Sequence, residues 1–231
     1  KRGCGRSTGN YYRAGHGDLI DDAVAWFDAL VQRDFCAPDK VFVLGHSEGC
    51  IIAPQMSARR PAVAGLILLC PFVDTIESVL MRQARRLERE FADLPGVSGV
   101  VRRCISMLLG FSETSQRRLI DTLRSSASET MRVGFQRIPA KAFRELLLLD
   151  PPAIFRRVAC PMLLVGGEKD IQCDPADVGR IADLSSCDVD AHVMADLTHV
   201  LRRTSGQPSF LGSGELLANP MEPAVLDLVA S

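Results

Sequence analysis

Apolar positions along the chain fall into two kinds of pattern that alternate with one another. Lys40 to Gly45 (KVFVLG), Val63 to Cys70 (VAGLILLC) and Pro161 to Gly167 (PMLLVGG) are nearly unbroken apolar runs. Runs of this length suit parallel strands covered on both faces. Asp188 to Met194 (DVDAHVM) reads as a fourth strand. Between Asp18 and Arg33 the apolar residues Leu19, Ile20, Ala23, Val24, Phe27, Leu30 and Val31 recur at helical spacing instead. Asp18, Asp21 and Asp22 sit near the start of that helix, where its dipole favours negative charge. Pro38-Asp39 marks a turn, and Cys50 to Arg60 reads as a helix. Asp174-Pro175 reads as a cap and first-turn proline opening a helix to about Leu184. Thr204 to Gly214, rich in Ser and Gly, reads as a loop, and Pro223 to Ala230 as a last short helix. Strands alternating with helices predict an α/β fold with a mostly parallel sheet and helices on both faces.

One stretch breaks the alternation. Residues 74–149 show helical patterns and no convincing strand. Leu80, Ala84, Leu87, Phe91 and Leu94 form one apolar stripe, with Arg82, Arg85, Arg86 and Arg89 largely off it. We read this as a helical insertion, 74–149, set into a core made of 1–73 and 150–231. Its arginines read as a solvated face rather than an anion site.

Composition narrows the classes of partner. A net charge of −1 gives no electrostatic reason to expect nucleic acid or an anionic membrane. No apolar run approaches the roughly 18 residues that a membrane span needs. The start, KRGCGRSTGN, is not followed by the apolar stretch of a signal peptide. The first residue is Lys, so the chain reads as a piece of a longer product. Of the eight cysteines none forms a C-x-x-C pair, which removes support for a zinc ribbon or a redox motif. They read as small buried hydrophobes in a reducing, cytoplasmic setting. GCGRSTG spells G-x-G-x-x-x-G with no apolar strand before it, and so fails as a dinucleotide fingerprint.

Chemistry enters at Gly45-His46-Ser47-Glu48-Gly49. This G-x-S-x-G follows an apolar strand and precedes a helix carrying the small residues Ala53 and Ser57. A nucleophile elbow needs that context: a sharp turn strains the serine backbone, and glycines two positions either side avoid collisions with strand and helix. The amide of Glu48 is then the expected oxyanion donor at the helix N-terminus. A serine hydroxyl also needs a base. His16 lies upstream of the first helix, His46 is turned away within the elbow, and His192 reads as a packed mid-strand residue. His199, in ADLTHVLR, falls just after the last strand, where a loop can return it to Ser47. The acid that orients the base is expected at the carboxyl end of a strand. Asp170, just past the third run, fits best. Asp174 is better explained as a cap, and Asp74, after the second run, is the other rival.

The order Ser47, Asp170, His199 resembles that of the α/β-hydrolase superfamily, and the resemblance runs nearly the whole length. KRGCGRSTG is similar to the loop after the fourth core strand. LILLCPF, CPMLLVGGEKD and DLTHVLR are similar to the sixth strand, the seventh strand with its acid, and the histidine loop. The Lys-Arg-Gly start and His-Ser-Glu-Gly elbow are most similar to the esterase and serine-aminopeptidase-like branch. The resemblance implies a serine hydrolase acting on a small ester, thioester or amide through an acyl-enzyme, without metal or organic cofactor. It also implies that the insertion is a lid that selects substrate. A non-catalytic binding module on the same scaffold is the alternative from another class. The family's first four strands, and the loop that gives the second oxyanion donor, have no counterpart in these residues. The N-terminal part of the sheet is therefore expected to be missing and the KVFVLG edge unpaired. Since one oxyanion donor is typically worth about 3–4 kcal/mol, the isolated chain is expected to be weakly active or inactive.

Overall fold

The computed structural model describes residues 1–93, 112–134, 136–210 and 213–231. Contacts divide them into two units, one of residues 1–19 and 75–149, the other of 20–74 and 150–231.

The second unit holds the sheet. Its strands are β1 (Phe42–His46), β2 (Gly65–Leu69), β5 (Met162–Gly167) and β6 (Val189–Met194), in the order β1-β2-β5-β6. Every pairing is parallel, with Leu44 opposite Ile67, Ile67 opposite Leu163 and Leu163 opposite Asp190. All four strands fall on the runs that hydropathy marks. Helix α2 (Gly49–Arg59) crosses from β1 to β2, and α7 (Asp177–Leu184) from β5 to β6. Between them they help bury one face, where Leu66, Leu68 and Leu164 are at most 1% exposed. On the other face α9 (Pro223–Ala230), which follows the short α8 (Ser213–Leu216), brings Val225, Leu228 and Val229 against Leu69 and Val165. Helix α1 (His16–Leu30) precedes β1, and the short helix α6 (Pro151–Phe155) precedes β5 with Phe155 fully buried.

Helix α7 begins at Asp177, later than Asp174-Pro175 predicts. The Asp174 carboxylate accepts from the amide of Ala176 and its carbonyl from that of Asp177, so the pair forms a turn leading into the helix.

The first unit contains α3 (Ile76–Ala92), α4 (Glu113–Ser125) and α5 (Ala140–Leu146). The stripe on α3 is real: Ala84 is buried, Leu80, Leu87 and Phe91 are half-buried, and Val79 and Met81 join them. Leu94 lies outside the described residues. Thr75 and Ser112 cap α3 and α4 through their side-chain oxygens. Arg85 pairs with Glu113 at 3.1 Å on the exposed side, whereas Arg86 pairs with the mostly buried Glu90 at 3.0 Å and one nitrogen of Arg82 is buried, so the expected solvated arginine face is solvated only in part. Flanked by Arg85 and Arg117, the Glu113 carboxyl is pulled down to about 2.

The absence of strands from this stretch needs correcting. Met131–Val133 (β3) and Gln136–Ile138 (β4) form a short antiparallel hairpin, with Gly134 at φ 58° in its turn. Three residues per strand are too few to leave a clear alternation in the sequence.

Candidate active site

Ser47 sits between the end of β1 and the start of α2, with φ at 54°. A left-handed conformation is costly for a residue with a Cβ and is held here by its surroundings. The Ser47 amide donates to the Leu69 carbonyl at 3.0 Å, and the Cys50 amide donates to the Ser47 carbonyl at 2.9 Å. The Cys50 thiol donates to the carbonyls of Gly45 and Leu69, so a fully buried side chain ties the turn to both strands. A Cβ at Gly45 would collide with the carbonyl of Gly49, which explains the first glycine of the motif. The second is different. A Cβ at Gly49 meets nothing within 4 Å among the described residues, so the expected steric reason for that glycine does not hold here.

Asp170 follows β5. Its Oδ1 accepts from the amides of Gln172 at 2.8 Å and Cys173 at 2.9 Å, leaving Oδ2 for His199 Nδ1 at 2.8 Å. His199 Nε2 lies 3.0 Å from Ser47 Oγ. Asp170 and His199 are both buried, while Ser47 is half-buried. An ionised carboxylate can only accept, so the neutral ring carries its proton on Nδ1 and offers Nε2 to the serine hydroxyl. That arrangement can take a proton from Ser47 as its oxygen attacks, with the charged ring steadied by Asp170.

The loop carrying His199 is built tightly. Thr198 donates through its amide to Arg202 O at 3.0 Å, Leu201 donates to Thr198 O at 2.9 Å, and Asp196 and Leu201 adopt positive φ. Gly167 lets the carbonyl of Leu197 approach the end of β5, where a Cβ would collide with it.

The other candidates fall elsewhere. His16 is buried as the first residue of α1, in the unit that does not contain Ser47. Asp74 accepts from Arg180, and Asp174 caps its turn. His192 is not a core residue as expected: it is half-buried on β6 and lies 2.8 Å from Asp190. The strand is at the sheet edge, so its alternate side chains meet solvent. His46 is not turned away either. Its Nε2 lies 2.9 Å from the His199 carbonyl, with the two ring centroids 5.0 Å apart. The residue as a whole is exposed, but loss of water around part of its ring is the main cause that lowers its pKa, against the hydrogen bond to the His199 carbonyl, which raises it. Nothing in the local sequence around His46 reveals a partner 153 positions away. Glu48 stands at the N-terminal end of α2 in helical conformation.

Three thiols crowd this region. Cys50, Cys70 and Cys173 are buried, and burial pushes the Cys50 and Cys70 thiols far up, so both stay protonated. All seven described cysteines are free, and Cys104 lies outside the described residues. Ligand atoms of His46, Cys70 and His199 lie within 4.8 Å of one another, as do those of Asp170, Cys173 and His199. Nitrogen, sulfur and carboxylate are a donor set that zinc accepts. The hydrogen bonds of His46, Cys70, His199 and Asp170 already account for their clustering.

Comparison with known proteins bears on the family and the fold. Residues 1–203 match the family model of the serine aminopeptidases of type S33. Esterase EstD of Thermotoga maritima is 28% identical over 192 residues, covering 82% of this chain and 42% of EstD. The chain thus spans under half the length of that relative. Among solved structures, DcsB in complex with its substrate analogue aligns with a TM-score of 0.58 at 15% identity, over 99% of this chain and 78% of that one. Est1E from Butyrivibrio proteoclasticus, with ferulic acid bound, aligns at 0.55 and 14% identity, over 98% and 74%. At such identities these likenesses show the fold. Among the described residues no helix is long and apolar enough to cross a membrane. The parallel sheet, the strained serine turn and the match over most of the chain converge: it belongs to the serine aminopeptidase S33 family of α/β-hydrolases.

Proposed function

We propose that this chain carries the catalytic centre of a serine hydrolase that cleaves a carboxylic ester or thioester. The observation that carries the reading is the chain of contacts from Ser47 Oγ to His199 Nε2 at 3.0 Å and from His199 Nδ1 to Asp170 Oδ2 at 2.8 Å. Ser47 attacks the carbonyl, and His199 takes the serine proton and returns it to the leaving group. Asp170 holds the Nδ1–H tautomer and stabilises the charged ring. The acyl group passes to Ser47, and water later releases it, again through His199. The Glu48 amide, at the start of α2, supports the oxyanion. We place the protein in a reducing compartment, the cytoplasm, to which free thiols are suited.

A fluorophosphonate probe tests this directly. It should label the full-length wild-type protein and leave its Ser47→Ala variant unlabelled. Equal labelling of the variant would end the assignment, and failure of the full-length wild type to react with any serine-directed probe would favour a binding module.

The family model's aminopeptidase description favours a second reading, an amidase acting on aminoacyl amides. Turnover of aminoacyl amides above that of short acyl esters would select it.

A further inference from the structure

The main-chain carbonyl of His199 is held from outside its own loop. The hydrogen bonds of Thr198 and Leu201 close the loop on itself, whereas the His199 oxygen takes donors from two strand ends. His46 Nε2 lies at 2.9 Å and Cys70 Sγ at 3.6 Å, a normal reach for sulfur. A carbonyl only accepts, so His46 carries its proton on Nε2. That ring nitrogen is then spent on the carbonyl and does not compete for the serine. Cys70 immediately follows β2 with φ at 54° and donates its amide to Val165 O at 2.7 Å, which aims its thiol at the same oxygen.

We infer that His46 is a positioning residue for His199: its Nε2–H, with the Cys70 thiol behind it, fixes the backbone of the base relative to the serine that follows His46 in the chain. The inference rests on the hydrolase reading above. The physical logic is leverage. Ser47 and His46 are adjacent, so the elbow that points the hydroxyl also grips the loop that presents the imidazole. Without this grip the loop is still tied at the carbonyls of Leu197 and Leu201 by the amides of Lys169 and Glu222, at 2.9 Å each, but the His199 carbonyl between them keeps only the Cys70 thiol, and misplacement of about 1 Å at a reacting group costs up to about 100-fold. Ground-state binding of an acyl probe does not depend on the grip, so the loss belongs in the maximal rate.

The test is made in the full-length protein and compares His46→Leu, which has no donor, with His46→Gln, whose amide nitrogen reaches to a similar place. Saturation of fluorophosphonate labelling separates maximal rate from half-saturating concentration. We expect His46→Leu to lower the maximal rate about 10- to 100-fold with the half-saturating concentration within about twofold. His46→Gln should restore most of it, and thermal unfolding should be unchanged in both. Independently of turnover, the downfield proton resonance of His199 Nδ1–H, shared with Asp170, should shift or broaden in His46→Leu and recover in His46→Gln. Wild-type labelling by His46→Leu, or equal impairment of both variants, overturns the inference. If the wild type takes no label, the hydrolase reading falls instead. The resonance then decides this inference alone, and an unchanged signal in His46→Leu refutes it.

Discussion

Strands β5 and β1 are both continuous apolar runs, yet they occupy opposite environments. β5 is paired on both sides, and Leu164 and Val165 are fully buried. β1 pairs only with β2 among the described residues, leaving Phe42 59% and Leu44 52% exposed on one face. Beside them, at the amino ends of the strands, a cavity of about 550 Å³ opens between Phe42, Gly65, Leu163 and the α9 residues Leu228 and Val229. An apolar run thus records the surroundings a strand is suited to, and β1 is more apolar than its described neighbours require. The difference divides the site as well. Asp170 hangs from the packed strand, braced by two amides, and Ser47 extends from the edge strand.

The largest expected effect probes the packed half. Asp170→Asn keeps an oxygen for the amides of Gln172 and Cys173 but favours the wrong tautomer of His199. The maximal labelling rate should fall by about 10³- to 10⁴-fold, with little change in thermal unfolding. Retention of the wild-type rate would mean that the well-braced acid does nothing for the base.

A paired truncation tests the contrast in stability. Leu164→Ala removes a side chain with no exposure and should cost about 2–5 kcal/mol in urea unfolding. Leu44→Ala, on the bare face, should change stability by under about 0.5 kcal/mol. Equal losses would show that β1 is covered in solution, which would erase the distinction between the strands.

These contrasts also show how far the sequence was legible. Strand positions were legible because burial on both faces leaves a local mark, and strand-end position singled out Ser47, Asp170 and His199, whose side chains the fold brings into contact. From Phe42 to Met194, hydropathy and turn residues sufficed to place all four strands. What stayed hidden depends on neighbours distant in sequence. His46 reads as a spacer in the motif, and only the fold brings the His199 carbonyl to it. His192 reads as core because its strand is apolar on either side, but an edge position exposes it. Gly49 reads as sterically required from the motif alone, whereas a Cβ there meets nothing within 4 Å beyond its own helix among the described residues. The β3–β4 hairpin was too short to show a period.

The smallest predicted effect separates two aspartates by sign. Asp177, on α7 over β5, is fully buried; it accepts from the Val73 amide at 3.2 Å and from Arg180 at 2.6 Å. Desolvation outweighs both partners and raises its pKa above the usual 3.8. Asp28, on α1, is gripped by Arg60 at 2.6 Å on both oxygens, and that pairing lowers its pKa below 3.8. The linkage runs in opposite directions. Native Asp177 holds its proton to higher pH than the unfolded chain does, so it lowers stability as pH rises through the window above 3.8. Native Asp28 releases its proton at lower pH, so its contribution is present above 3.8 and is lost as pH falls through the lowered value. Urea unfolding reads both, with Asp177→Asn at about pH 4 and about pH 7 and Asp28→Asn at about pH 2.5 and about pH 5. Relative to wild type, Asp177→Asn should gain on going to about pH 7, and Asp28→Asn should lose on going from about pH 2.5 to about pH 5. A pH-independent difference for Asp177→Asn would mean that its carboxylate is as well solvated as a surface one, and that the region over β5 is not the dry half of the sheet.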